Sequence, residues 1–245
     1  MKWRTTVLAP IAVILVTPGA FSQDEDPYSK GWKIYMAARE AAGGGPGGEQ
    51  LVDYTFDVVT ELKMNGQTVK YNSTMALIVP YFLRQSVNSE TGRTVLFFDG
   101  KQAWQQSIRG KQDLPQSMIG THRATMDRSH ILLGPAPSKD AVHYLRDEDV
   151  ADRMTQVIQI NDVGGTPLRM FVDTENADVL KHVFVGDIPG GGMAQVEELF
   201  SGFVDVGGFR WHTEKTVLRN GKQSVRSVTS NLEVNVGLAV ENLLR

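Results

Sequence analysis

The side chains best suited to proton transfer or metal binding near neutral pH are five histidines: His122, His130, His143, His182 and His212. None lies two, three or four residues from another, the spacings that would place two rings on one face of a strand or helix. No local metal clip or H-E-x-x-H site can form from them. His122 and His130, eight residues apart, are expected as surface or satisfied core histidines. Acid/base chemistry would require His143, His182 or His212 to meet carboxylates through the fold. Cysteine is absent, which removes thiol nucleophiles and thiolate metal sites. There is no G-x-S-x-G elbow, no Walker loop and no S-x-x-K motif.

Three further stretches combine charge or glycine with polar groups. "RDEDVADR" (146–153) has the composition of a cation site and equally of a charged strand end and turn. Asp57 and Glu61 would form an acid/base pair only if the polar face of their strand were the active one. "DIPGGGM" (187–193) is glycine-rich, but nothing after it marks a helix start, so it makes no phosphate cradle. "LFFDGKQAWQQS" (96–107) holds a carboxylate, a glycine, a lysine and Trp104. Asp99-Gly100 is the dipeptide of a two-residue hairpin turn, so Asp99 is expected to serve the turn and Lys101 to face solvent. Trp104 is then the residue to watch, either plugging a core or lining a pocket. No catalytic residue, metal site or cofactor is expected.

The elements that would hold these residues are mainly strands. Asp26-Pro27 is a helix start, with an N-cap aspartate and a proline at the first helical position. Tyr28, Trp32, Tyr35 and Met36 follow on one helical face. "GGGPGG" (43–48) ends that helix as a flexible link. The period then changes to two. Tyr54, Phe56, Val58, Leu62 and Met64 point one way and Asp53, Thr55, Asp57, Glu61 and Lys63 the other, with Val59 and Thr60 blurring the pattern. After Asn65-Gly66, the residues Val69, Tyr71, Ser73, Met75, Leu77 and Val79 share a face. Pro80 suggests an edge or bulge there.

Further strands are expected at 81–89, 94–98, 102–109, 142–149, 154–160, 167–173, 179–185, 194–204, 208–218 and 223–236. Turns at Asp99-Gly100, Gly164-Gly165, Gly207-Gly208 and Asn220-Gly221 punctuate them. Residues 113–135 break the β pattern. Asp113 and Pro115 mark a helix start, and Gly120 suggests two short helices. "GLAVENLLR" suggests a last helical turn. Strands of about twelve residues span roughly 40 Å, and strands that long twist a sheet into a curl. The expected fold is mainly β (α+β): a single large curved antiparallel sheet, or half-barrel, covered on its concave face by an N-terminal helix and short mid-chain helices.

The first 22 residues have the layout of a secretory signal peptide: Lys2 and Arg4, an apolar run from Val7 to Val16, and small residues Ala20 and Ser22 before Gln23. Cleavage is expected after Ser22, with residues 23–245 forming one domain in the periplasm. The ten-residue apolar run is half of what a spanning helix needs. Those 22 residues carry two positive charges and no negative one. The remainder is therefore two units more negative than the −3 of the whole chain, about −5, which implies no nucleic-acid partner.

Together these features resemble the periplasmic lipoprotein carrier and sorting superfamily (LolA-like, related to LolB). The resemblance rests on the leader, the amphipathic helix, "VDYTFDVVTELKMNGQTVKYNSTMALIVPYFLRQSV" and "LFFDGKQAW", which is similar to the family's D-G-K-x-x-W turn. "YLRDEDVADRMTQVIQI", "PLRMFVDTENADVLKHVFV" and "FRWHTEKTVLRNGKQSVRSVTSNLEVN" resemble later strands of larger relatives. It covers most of residues 27–236. It implies a half-barrel closed by helices, a hydrophobic cavity for acyl chains, and carriage of lipid or lipoprotein without catalysis. The chain departs from the carriers at one position. Val79 stands where they have a basic residue before the proline, and Arg84 lies four residues beyond Pro80.

The leading expectation is a non-catalytic, monomeric apolar-ligand binder, taking lipid or lipoprotein acyl chains and serving lipoprotein sorting to the outer membrane. Expected wall residues are Phe56, Val58, Leu62, Met75, Leu77, Phe82 and Trp104, with Trp32 and Met36 from the lid helix. An envelope sensor or protein-interaction module of the same fold is the second reading, and an envelope enzyme the third.

Overall fold

The computed structural model describes residues 25–244 apart from 48, 65, 90–91 and 188–191. The expected leader (1–22) lies outside the described residues. Helix α1 (Pro27–Ala41) starts as its sequence requires: the Asp26 carboxylate accepts a hydrogen bond from the Ser29 N–H at 3.0 Å. The strands are β1 (Asp53–Met64), β2 (Gln67–Ile78), β3 (Phe82–Ser89), β4 (Gly92–Phe98), β5 (Ala103–Ser107) and β6 (Gly110–Asp113). After helix α2 (Gln116–Ser129) come β7 (Val142–Val150), β8 (Arg153–Val163), β9 (Thr166–Asp173), β10 (Val179–Asp187), β11 (Met193–Val206), β12 (Phe209–Arg219) and β13 (Lys222–Val234). Helix α3 (Val240–Leu244) follows.

All thirteen strands form one curled antiparallel sheet in the order β6-β5-β4-β3-β2-β1-β13-β12-β11-β10-β9-β8-β7. Consecutive strands are neighbours except β6 and β7, whose connection through α2 crosses from one edge of the sheet to the other, so that β13 ends beside β1. First and last strands thus meet in the middle, and the two wings grow outward from that seam. Turn chemistry drives the meander. At Asn220-Gly221 both residues have positive φ, 47° and 74°, as a two-residue hairpin turn matched to strand twist demands. The outermost strand β6 is short and fully exposed, with the sequence GKQD, which discourages pairing with another chain.

The expected fold class holds, with local differences. Residues 116–129 form one helix, not two: Gly120 is exposed and an added Cβ would meet nothing, so tertiary contacts carry the helix through it. Pro115, not Asp113, occupies its N-cap, and Asp113 ends the unexpected strand β6. Pro80 disturbs no ladder. It sits in the turn between β2 and β3, after a cis peptide bond with Val79. The start of the glycine run is packed rather than free: a Cβ at Gly43 would lie 2.4 Å from the Gly208 carbonyl oxygen.

Two cores lie under the helices. One joins Ile34, Tyr35 and Ala38 of α1 to Val142, Ile158, Ile160, Leu168 and Met170 of the later wing. The other joins Ile119 and Met126 of α2 to Tyr54, Leu77, Leu83, Phe98 and Phe209. A third cluster gathers Val150, Val157, Phe171, Leu180 and Val183. Tyr35 is fully buried and its hydroxyl donates to the Ile131 carbonyl at 2.8 Å. Arg39 donates to the carbonyls of Leu132 and Gly134 at 2.9 and 2.7 Å. These bonds tie the end of α1 to the segment after α2 and make a roof over the sheet.

Candidate ligand-binding cavity

Beneath that roof lies a cavity of ≈ 310 Å³. This is at the small end of ligand pockets. Its floor comes from β1–β3 and β10–β13, and its roof from Ala38, Ala41 and Ala42 at the end of α1 and residues 128–133 after α2. The floor is built by period-two alternation. Tyr54, Phe56, Val58 and Thr60 all face it from β1, so Thr60, which blurs the hydrophobic pattern, belongs to the inner face.

Strand register sorts the wall into two ends. Phe56 pairs with Met75 across β1 and β2, and the Tyr54 and Trp211 rings approach to 4.9 Å. With Leu133 and Leu232 they form an apolar end. Further along β1, Thr60 pairs with Ser227, Ser227 with Lys215, and Glu198 with His182. Lys215 itself pairs with Phe200 of β11 and reaches Glu198 diagonally, two residues along, so the polar end spans five strands with one such step. Lys215 Nζ lies 3.7 Å from Glu198 Oε1, and His182 Nδ1 lies 3.8 Å from Glu198 Oε2. Phe200 stands between the two histidines, with ring centroids 4.9 Å from His182 and 4.4 Å from His212.

The electrostatics follow from this packing. Burial raises the Glu198 pKa, but the Lys215 ammonium, the His182 ring and the Arg128 guanidinium together outweigh it and hold the carboxyl at about 2. Burial lowers the His212 pKa to about 3, with Lys215 and His182 adding to the effect, so this ring is neutral near pH 7. Asp178 is matched by Arg210, whose Nε and Nη2 donate to its two oxygens at 3.0 and 3.3 Å. Arg128 stacks 3.9 Å over the Phe184 ring, and among the described residues no carboxylate comes within 4.0 Å of it. Arg210 is matched by two carboxylates, Asp178 and, at 3.2 Å, Asp205, whereas Arg128 and Lys215 share Glu198 as the one lining carboxylate at the polar end. Two buried wall atoms have no hydrogen-bond partner, His182 Nε2 and Trp211 Nε1.

Of the residues expected to line a pocket, Phe56, Val58 and Met75 do. The others do not. Trp32 and Met36 pack half-buried against the α1 core, because the buried face of the helix runs through Gly31, Ile34, Tyr35 and Ala38. Leu77 is sealed in the α2 core, and Leu62 and Phe82 lie beyond the cavity. Trp104 stacks on Phe97 at 5.4 Å with Lys111 over its ring, away from the cavity. In the turn beside it Asp99 serves the turn and Lys101 is exposed, as expected, with Asp99 accepting hydrogen bonds from the Lys101 and Gln102 N–H groups. But Asp99 N–H also donates to the Gln102 carbonyl at 3.1 Å, so the two turn residues are Gly100-Lys101 rather than Asp99-Gly100. Arg84 alternates with the inward Gln85. It lines a separate hollow on the other face with Arg93 and donates to the Leu243 carbonyl at 2.8 Å, so it does not replace the basic residue absent at Val79.

Sequence reasoning named His182 and His212 as histidines that could meet carboxylates through the fold, but missed Thr60, Glu198, Lys215 and Ser227 as the groups they meet. The one available signal was "FRWHTEK" in β12, where Trp211, Thr213 and Lys215 alternate with Arg210, His212 and Glu214. His182, His212 and Glu198 do converge in one cleft. Among the described residues, no hydroxyl hydrogen-bonds either ring, and no three His, Asp or Glu side chains gather to hold a metal ion.

No family model matches the chain, and no curated protein does. Solved structures do. A DUF1329 family protein from Desulfovibrio piger aligns at TM-score 0.59 and 13% identity, over 89% of this chain and 97% of its own. A putative outer membrane lipoprotein-sorting protein domain from Vibrio parahaemolyticus and a LolA superfamily protein from Nitrosomonas europaea each align at TM-score 0.58 and 12% identity, over 88% of this chain and 97% of theirs. The curled meander that carries the cavity is therefore the LolA-type fold, that of the LolA superfamily and lipoprotein-sorting proteins it superposes on.

Proposed function

We propose that this protein is a periplasmic, non-catalytic binder of an apolar ligand, taking lipid or lipoprotein acyl chains into the cavity. Residues 1–22 act as the export leader and residues 23–245 as one monomeric domain. The observation that carries this reading is the roofed cavity itself. Tyr54, Phe56, Val58, Met75, Trp211 and Leu232 give it an apolar wall that no side chain among the described residues fills. The fold shared with a lipoprotein-sorting domain supports the same reading.

The test uses the neutral apolar fluorophore N-phenyl-1-naphthylamine and native mass spectrometry of the gently purified protein. Uptake of the probe, and its loss when Val58→Trp fills the cavity in a variant with unchanged circular dichroism, are the expected results. Absence of both copurified lipid and probe uptake by the wild-type protein would sink the proposal.

A further inference from the structure

We propose that the ligand of this cavity is a single-chain amphiphile with an acidic oxyanion head, held at the Thr60–Ser227–Lys215 row, and that the chain lies against Phe56, Met75 and Trp211. The inference rests on the proposed apolar-ligand reading and specifies the chemistry of the head group.

The argument begins with charge. A wall that served only hydrocarbon would gain nothing from a surplus cation, because burying an unmatched charge is costly. Here Arg210 is engaged by Asp178 and Asp205. At the end of the cavity opposite Phe56 and Met75, two cations, Lys215 and Arg128, share one lining carboxylate, Glu198, which His182 also approaches. Lys215 lies 3.7 Å from Glu198, an ion pair too long for a hydrogen bond, and its side chain is 35% exposed, so its N–H donors remain for a ligand.

One unpartnered atom points the same way: His182, 7% exposed and beside Glu198, leaves Nε2 without a hydrogen-bond partner. Thr60 Oγ1 and Ser227 Oγ, 3.3 Å apart, add hydroxyls that can turn towards an oxyanion. A carboxylate would engage Lys215 and the hydroxyls. A phosphate monoester would do so too, and its remaining O–H could also serve His182 Nε2. The small cavity suits one chain rather than several.

Displacement of bound N-phenyl-1-naphthylamine by four C12 amphiphiles separates the possibilities: dodecanoate, dodecyl phosphate, dodecanol and dodecyltrimethylammonium. At least one of the two acids should compete about tenfold better than dodecanol, equivalent to about 1.4 kcal/mol, with the cationic amphiphile weakest. Which acid is the stronger identifies the head as carboxylate or phosphate. Lys215→Met should bring the preferred acid to within about threefold of dodecanol, and Lys215→Arg should restore the preference. Thr60→Val, which keeps shape and removes a hydroxyl, provides a second variant should Lys215→Met fold poorly. Equal competition by all four overturns the head-group assignment and leaves the apolar-ligand proposal standing. Failure of the probe to bind at all removes both.

Discussion

His130 makes the protein acid-sensitive through one latch. It caps α2, is 5% exposed, and its Nε2 lies 2.8 Å from the Tyr54 hydroxyl of β1. Burial drives its pKa down to about 4; the Pro80 carbonyl and Asp127 oppose this only in part. The folded pKa lies below the ordinary value of 6.5, so the unfolded chain takes the proton first as pH falls. Between those two values the unfolded state binds more protons, and stability is lost as pH drops. The loss from this residue is about 2 kcal/mol by pH 5 and saturates at about 3 kcal/mol below pH 4. Chemical denaturation of the wild type and His130→Gln at pH 7, 6, 5 and 4 measures it. Glutamine stays neutral and can still pair with Tyr54, so its cost at pH 7 is constant across the series. Buried His212 and the low Glu198 carboxyl lower both proteins' stability in acid, which makes the difference between the two proteins the quantity of interest. That difference should move in favour of the variant by about 2–3 kcal/mol from pH 7 to pH 4. A difference constant to within about 0.5 kcal/mol would refute the claim that His130 is buried neutral.

Other substitutions test the packing. A Cβ at Gly31 would lie 2.6 Å from the backbone of His143 and Tyr144, whereas one at Gly120 would meet nothing. Gly31→Ala should therefore cost about 2 kcal/mol or more, and Gly120→Ala should gain about 0.5–1 kcal/mol, both read from urea midpoints. Equal effects would mean that α1 does not press on β7. The Asp53 carboxylate accepts hydrogen bonds from the N–H groups of Val236, Gly237 and Leu238 at 2.7, 3.1 and 3.1 Å while 2% exposed. Asp53→Ala strands all three and should cost about 3 kcal/mol or more. It should also open the chain after Val234 to limited proteolysis, and an unchanged digestion pattern would contradict that anchoring role.

Local chemistry made most of the fold readable in advance. The helix start at Asp26-Pro27, the strand alternation after Asp53 and the paired turn residues at 164–165, 207–208 and 220–221 are written within a few neighbouring residues, and each appears in the structure. Where local signals were weak, tertiary packing decided. Gly120 argued for a helix break, yet α2 continues because Ile119 and Met126 bury themselves against the sheet. The aromatic stripe on α1 suggested Trp32 and Met36 as a lid, but the close approach permitted by Gly31 rotates the docked face towards Ile34, Tyr35 and Ala38.

The sequence by itself determined a long antiparallel meander with one apolar face, because period and turn type are properties of adjacent residues. Only the tertiary structure decided what that face contains. Thr60, His182, Glu198, Lys215 and Ser227 come from five strands spread over most of the chain. What brings them into one row is the register between those strands and the return of β13 beside β1. A slip of one residue in any of those pairings would have turned the polar row outward, so no spacing within the sequence could announce it.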